Sequence, residues 1–178
     1  MKLWHLGADA NNYDNLVPVK PEYWHKLEFD GTSQYNSWEP IAVRVIEDKK
    51  DSDNPSLQPG IPVFSEKALR VLGDLIKDSA EVLPLKCRKG KYYAINVVDV
   101  LDCINYDNSE VKRFISSGRI MRFIKYAFKP ECVIGKYIFK IIDEPESRPF
   151  VSDEFRDRVI SSGLIGFKFD LVWNSEVD

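Results

Sequence analysis

The residues best able to do chemistry crowd into "VVDVLDCINYDNSEV", positions 97–111, where Asp99, Asp102, Asp107 and Glu110 surround one thiol, Cys103. Such a group could be a metal site, an acid–base pair, or only a turn into a helix. A calcium loop needs oxygen ligands at alternate positions followed by a glycine. Counting from Asp99 places Leu101 and Cys103 there, and counting from Asp102 places Ile104 and Tyr106, so the template fails. Asp107 followed by Glu110 instead matches a capping box, with Tyr106 and Val111 at the staple positions. Val111, Phe114 and Ile115 continue at helical spacing, and Gly118 stands where a C′ glycine belongs. The pattern predicts a helix that starts at Asp107. Asp99 and Asp102 remain as a pair three apart. They form the one candidate catalytic dyad, against the commoner reading of solvated turn carboxylates.

The remaining chemical motifs are missing. The two histidines, His5 and His25, have no companions at ligand or base spacing. Cys87, Cys103 and Cys132 are odd in number and widely spaced, which fits neither a disulfide framework nor a zinc knuckle and points to a reducing cytoplasm. There is no Gly-rich phosphate loop and no G-x-S-x-G elbow. "EDK" at 47–49 could be borrowed by a metal nuclease, but no Pro-Asp on a strand precedes it. The reading is therefore of a chain with no catalytic residue, no metal site and no cofactor.

Charge patterning is more informative. Residues 111–130 hold six basic side chains and no acidic one, with Phe114, Phe123, Tyr126 and Phe128 interleaved. Arg119, Arg122 and Lys125 would line one face of a helix. This is the pattern of a nucleic-acid stripe, or of a hairpin with one charged face and one core face. The first 60 residues run the other way, with ten acidic against six basic side chains. They also hold Trp4, Tyr13, Tyr23, Trp24, Tyr35 and Trp38. Rings beside carboxylates can form a protein-binding patch, or they can pack the segment's own core, as Trp38 is expected to do.

These stretches must be held by ordinary elements. "KLWHL" and "PIAVRVIE" read as strands. Ser65 caps a helix whose stripe is Ala68, Leu69, Leu72, Leu75 and Ile76, with Phe64 placed to staple onto Leu69. "VLPLKC" and "KYYAINVV" flank Arg88-Lys89-Gly90 as a hairpin, and Pro84 favours an edge. "RIMRFIKYAFK" is helix by charge spacing and strand by composition, with "YIFKII" as its expected hairpin partner. Ser152 caps a second helix bearing Phe155 and Val159 and ended by Gly163. In "IGFKFDLVW", Ile165, Phe167, Phe169, Leu171 and Trp173 alternate with outward Lys168 and Asp170. The fold class is α+β, mainly antiparallel sheet with two or three short capped helices. The polar "EDKKDSDNPSLQPG" at 47–60 marks a boundary between an acidic, aromatic-rich lobe (1–60) and a main domain (61–178), or a long loop inside one continuous domain.

The 178 residues suffice for a core without disulfides or metals. The net charge of −3 argues against a molecule built to coat nucleic acid. No apolar run is long enough to span a membrane, and the N-terminus lacks a signal-peptide core. Oligomeric state is left open.

The order of certain pieces carries more than any one of them. "SWEP" (37–40), "VFSEKA" (63–68), "EVLPLKC" (81–87), "NVVDVLD" (96–102), "SSGRIM" (116–121), "IFKI" (138–141), "FVSDEF" (150–155) and "GLIGFKFDLVW" (163–173) follow in series. The series resembles a bacterial immunity protein family of polymorphic toxin systems, numbered eleven and formerly a domain of unknown function. The resemblance implies a non-enzymatic cytoplasmic protein that binds and neutralises a cognate toxin C-terminal domain; the lack of a membrane-length apolar run points to no membrane partner. It does not locate the interface. The acidic first third supplies the expected toxin-binding face: Glu22, Tyr23, Trp24, Glu28, Asp30 and Tyr35. The alternative is a nucleic-acid-binding accessory protein using Arg119, Arg122 and Lys125.

Overall fold

The computed structural model describes residues 1–46 and 49–177. Two five-stranded sheets and a two-stranded arm carry the α+β fold. The first sheet is built from β1 (Lys2–Ala8), β7 (Val100–Leu101), β10 (Ile138–Ile141), β11 (Phe150–Ser152) and β12 (Phe167–Asn174), in the order β12-β1-β11-β10-β7. Its pairs are antiparallel except β10 with β7. The second contains β2 (Leu16–Pro18), β3 (Ala42–Val45), β4 (Val63–Ser65), β5 (Ala80–Cys87) and β6 (Tyr92–Val97), in the order β2-β3-β5-β6-β4. The arm pairs β8 (Glu110–Arg113) with β9 (Ile120–Lys125). Of the first 60 residues, β1 lies in one sheet and β2 and β3 in the other.

Three apolar clusters separate these layers. Helices α1 (Glu66–Ile76) and α3 (Asp153–Ser161) contribute Leu72, Ile76, Phe155 and Val159 to a central cluster with Leu6, Ile95 and Val151. Both helices start on the expected serines: Ser65 Oγ accepts from Ala68 N at 3.0 Å, and Ser152 Oγ from Phe155 N at 3.3 Å. A second cluster, with Phe29, Val43, Leu83 and Leu85, lies under the segment around a 3-10 helix, Pro21–Leu27. A third, with Leu3, Phe128, Phe139, Phe150 and Trp173, is closed by the arm and the short α2 (Pro130–Val133).

Four expectations are corrected here. No helix forms at Asp107; residues 105–108 turn and Glu110 opens β8. The partner of β9 is β8, whereas β10 pairs with β11 and β7. Strand β5 is not at a sheet edge, but Pro84 lies before its pairing with β3, which begins at Lys86, so no ladder bond is missing. The alternation in β12 breaks at a register shift, where Leu3 faces Trp173 and Trp4 faces Leu171. The extra residue, Val172, turns Trp173 to the third cluster while Phe167 and Phe169 stay on the central one.

The polar loop after β3 is the centre of the molecule. Asp53 is buried, and its Oδ1 accepts the Ser65 hydroxyl at 2.7 Å. Its Oδ2 accepts Ile165 N at 3.1 Å and Lys67 Nζ at 3.4 Å. Asn54 donates to Gly7 O at 2.9 Å and accepts Val63 N at 3.2 Å. One short stretch thus joins β1, β4, the cap of α1 and the entry to β12. Gly166, at φ +84°, lets the chain pass so close to Ser52 that a Cβ would lie 1.9 Å from its Oγ.

Removing the Asp53 carboxylate leaves the Ser65 hydroxyl and the Ile165 amide without that acceptor, while Lys67 keeps its bond to Gly163 O. Asp53→Ala is expected to cost about 3 kcal/mol in urea unfolding, the scale of breaking a buried charged network. Ser152→Ala, a cap without a carboxylate behind it, is expected to cost about 1 kcal/mol. Equal losses would show that the Asp53 network adds nothing beyond an ordinary cap.

Candidate functional site

The opening carboxylates do not converge. Asp99 is held by Lys136 at 2.9 Å and by the Ser79 hydroxyl at 3.5 Å. Asp102 is exposed and lies 4.0 Å from Lys129. Asp107 and Glu110 are exposed. The turn that replaces the capping box is closed by Ser109, whose hydroxyl donates to Asn105 O at 2.8 Å and accepts Ala127 N at 2.9 Å. Gly118, at φ +68°, serves the arm's turn instead of ending a helix. Cys103 is fully buried, and that burial pushes its thiol up to about 12, so it holds its proton at neutral pH. Among the described residues no group of three or more His, Cys, Asp and Glu could hold a metal ion. Glu47 and Asp48 of the "EDK" tripeptide lie outside the described residues.

The histidines have different fates. His25 is on the surface, 3.7 Å from Glu28. His5 is buried between Phe150 and Tyr126, with ring centroids at 4.4 and 5.3 Å. Its Nδ1 lies 3.2 Å from Arg148, whose other branch binds Asp170 at 2.6 Å. Burial, then the Arg148 charge, lowers its pKa to about 4. A neutral imidazole that accepts from a guanidinium braces β1 against β12. A second buried cation, Lys140 on β10, donates to Phe29 O at 2.8 Å. Burial lowers its pKa to about 8, while Asp30 and Glu146 act in the opposite direction.

The acidic, ring-bearing stretch is anchored by some of its rings and exposes others. Trp38 donates to Pro84 O at 3.0 Å and lies edge-on to Phe29 at 5.9 Å. Tyr23 packs on the second cluster beneath Lys20 and Lys26. Trp24 is 38% exposed and Tyr35 73% exposed. Glu22 and Glu28 are exposed on or beside the 3-10 helix. Asp30 accepts the Thr32 hydroxyl at 2.7 Å, a bond that holds its carboxyl below the usual range. The following loop is pinned to Glu81 through Ser33 and the Gln34 amide.

On the basic stretch, Arg119, Arg122 and Lys125 stand on a hairpin, with Arg119 just before β9 and the other two in it; they do not share a helical face. Three of the four interleaved rings turn inward. Phe123 and Phe128 are buried, and Tyr126 stacks on Phe123 at 4.7 Å and donates to Glu144 at 2.8 Å. Only Phe114 is substantially exposed. A groove of about 1030 Å³ crosses the outer side of the second sheet between Val19, Arg44, Lys86, Arg88 and Tyr93. Sequence reasoning missed this groove, because its lining comes from three separated segments.

The layers define an α+β protein in which the carboxylates, thiol and histidines singled out from the sequence do not converge on one site. The Imm11 immunity protein family model matches residues 11–174, and the chain belongs to that family. No curated protein matches the sequence. No helix among the described residues is long and apolar enough to cross a membrane.

The His5 environment has a pH signature. With a folded-state pKa near 4 against 6.5 when exposed, the unfolded chain binds the proton first. Its stabilising contribution is complete above pH 6.5 and is lost progressively as pH falls to about 4. The total is on the order of 3 kcal/mol at about 1.36 kcal/mol per pKa unit. Urea unfolding of the wild type and His5→Phe between pH 7 and 4 should give a difference that shrinks by that amount on acidification. A pH-independent difference would contradict the buried neutral imidazole.

Proposed function

We propose that this protein binds a toxin domain encoded beside its own gene in the bacterial cytoplasm. It holds that domain inactive by protein–protein contact and without catalysis, as part of a polymorphic toxin system. Membership of an immunity protein family supports this reading. Within the structure, the observation that carries it is the division of labour in residues 21–39. Tyr23 and Trp38 anchor the segment, while Trp24 and Tyr35 stay exposed among Glu22, Glu28 and Asp30. A segment fixed before the partner arrives loses little entropy on binding. Exposed rings supply hot-spot energy, and the carboxylates steer a basic surface towards them. Many enzymes that act on nucleic acids present such a surface.

The test uses the toxin domain from the gene's neighbourhood. Trp24→Ala should weaken its binding by about 2 kcal/mol, with the unfolding free energy changed by less than about 1 kcal/mol. Charge reversal at Glu28 and Asp30 should mainly slow association and reduce its salt dependence. A neighbourhood without a large modular toxin, or a toxin domain that ignores the wild-type protein, would refute the proposal. Loss of fold in Trp24→Ala would return that ring to the core and move the interface elsewhere.

A further inference from the structure

The β8–β9 arm is an expensive structure for a chain that has no use for it. It pairs with neither five-stranded sheet, and among the described residues no third strand lies on either of its edges. Its inner side is ordinary: Val111 faces Phe123 across the ladder, and both pack on the third cluster. The outer side is unusual in two respects.

First, the ladder slips twice, and both extra residues are on β9. Glu110 faces Lys125 and Val111 faces Phe123, which leaves Ile124 unmatched. Lys112 faces Arg122 and Arg113 faces Ile120, which leaves Met121 unmatched. A bulge re-aims the side chain it inserts. Here the two inserted residues are large and apolar, 62% and 42% exposed. At the turn, Phe114 is 43% exposed and Ile115 is fully exposed. A water-facing arm would carry polar residues at these four places.

Second, Lys112 and Arg122 are directly opposed. Like charges in that position destabilise a ladder. Among the described residues neither side chain is in an ion pair, and Arg119, exposed just before β9, adds a third cation without one. A negative surface laid on the arm would relieve this repulsion.

We propose that the outer face of the β8–β9 arm docks an acidic protein surface with an apolar centre. This rests on the neutralisation reading, in which that surface belongs to the toxin domain. Other occupants fit less well. Single-stranded nucleic acid needs stacking rings, and three of the four in residues 111–130 are turned into the protein. A membrane would take apolar residues at the tip alone, but here they run down the strand to Ile124. A second copy of the arm would bring five more basic side chains against the first five. The arm is also a different surface from residues 21–39. On β10, Lys140 points to Phe29 while Phe139 and Ile141 point to the arm's cluster, so the two surfaces flank opposite faces of that strand.

The experiment measures binding of the neighbouring toxin domain to the wild type, to Met121→Ser/Ile124→Ser and to Arg119→Glu/Arg122→Glu. All four positions are exposed, and urea unfolding verifies that both variants fold. The apolar double should raise the dissociation rate at least tenfold. The charge double should lower the association rate at least tenfold and flatten its salt dependence. Affinities within twofold of wild type in both variants would overturn the arm. If Trp24→Ala still weakened binding in that case, neutralisation would stand without it. A wild-type protein that binds no toxin domain would remove both. Unchanged toxin binding, with a salt-dependent single-stranded oligonucleotide shift lost in the charge double, would reassign the arm to nucleic acid.

Discussion

One buried carboxylate sets the arrangement on which everything else depends. Asp53 gathers the hydroxyl that caps α1, the amide that leads into β12 and the ammonium of Lys67. A carboxylate with no such bonds would not remain in that position, since an unpaired buried charge costs several kcal/mol. With them it fixes three elements at one point. Asn54 extends the junction to β1 and β4 through a backbone acceptor and a backbone donor. Ser65 is the economical part of the device, since its oxygen accepts from the helix while its proton goes to Asp53. The two sheets therefore meet at polar bonds as well as across the central apolar cluster.

With the sheets fixed in this way, several titratable groups act as struts. His5 with Arg148 and Asp170, Lys140 with Phe29 O, and Asp99 with Lys136 each link separate segments. The surfaces proposed for a partner are at the periphery: the rings and carboxylates of residues 21–39, and the bulged arm with its opposed cations. The two are unlike in charge and stand on opposite faces of β10. A partner gripping both would need a basic patch for one and an acidic patch for the other, which is a demanding and therefore selective requirement.

Local signals were legible in the sequence wherever the controlling contact was local. The Ser65 and Ser152 caps, the helical stripes and the β5–β6 hairpin involve near neighbours in the chain. Asp107–Glu110 failed for the opposite reason. Its capping-box pattern is real, but β8 gains a ladder with β9 and packs Val111 opposite Phe123, which a helix there would forfeit. The polar 47–60 loop misled in the same way. Composition cannot distinguish a solvated aspartate from one bonded to Ile165, 112 residues away. Of the candidate site, the exposure of Trp24 and Tyr35 was open to inference, because no periodicity placed them in a core. The re-aimed Met121 and Ile124 were not, because a bulge depends on the partner strand.

We have proposed that a partner covers two surfaces, residues 21–39 and the β8–β9 arm, of a frame that is already held together by its own polar and apolar contacts. Hydrogen–deuterium exchange with and without the neighbouring toxin domain tests that proposal most directly. It predicts added protection over residues 21–39 and 110–125, and none at 51–58 or 97–104, where the amides are already committed or far from the partner. Protection centred on Asp99 and Asp102, or on the groove of Arg44, Lys86 and Arg88, with the ring segment and the arm unchanged, would contradict it.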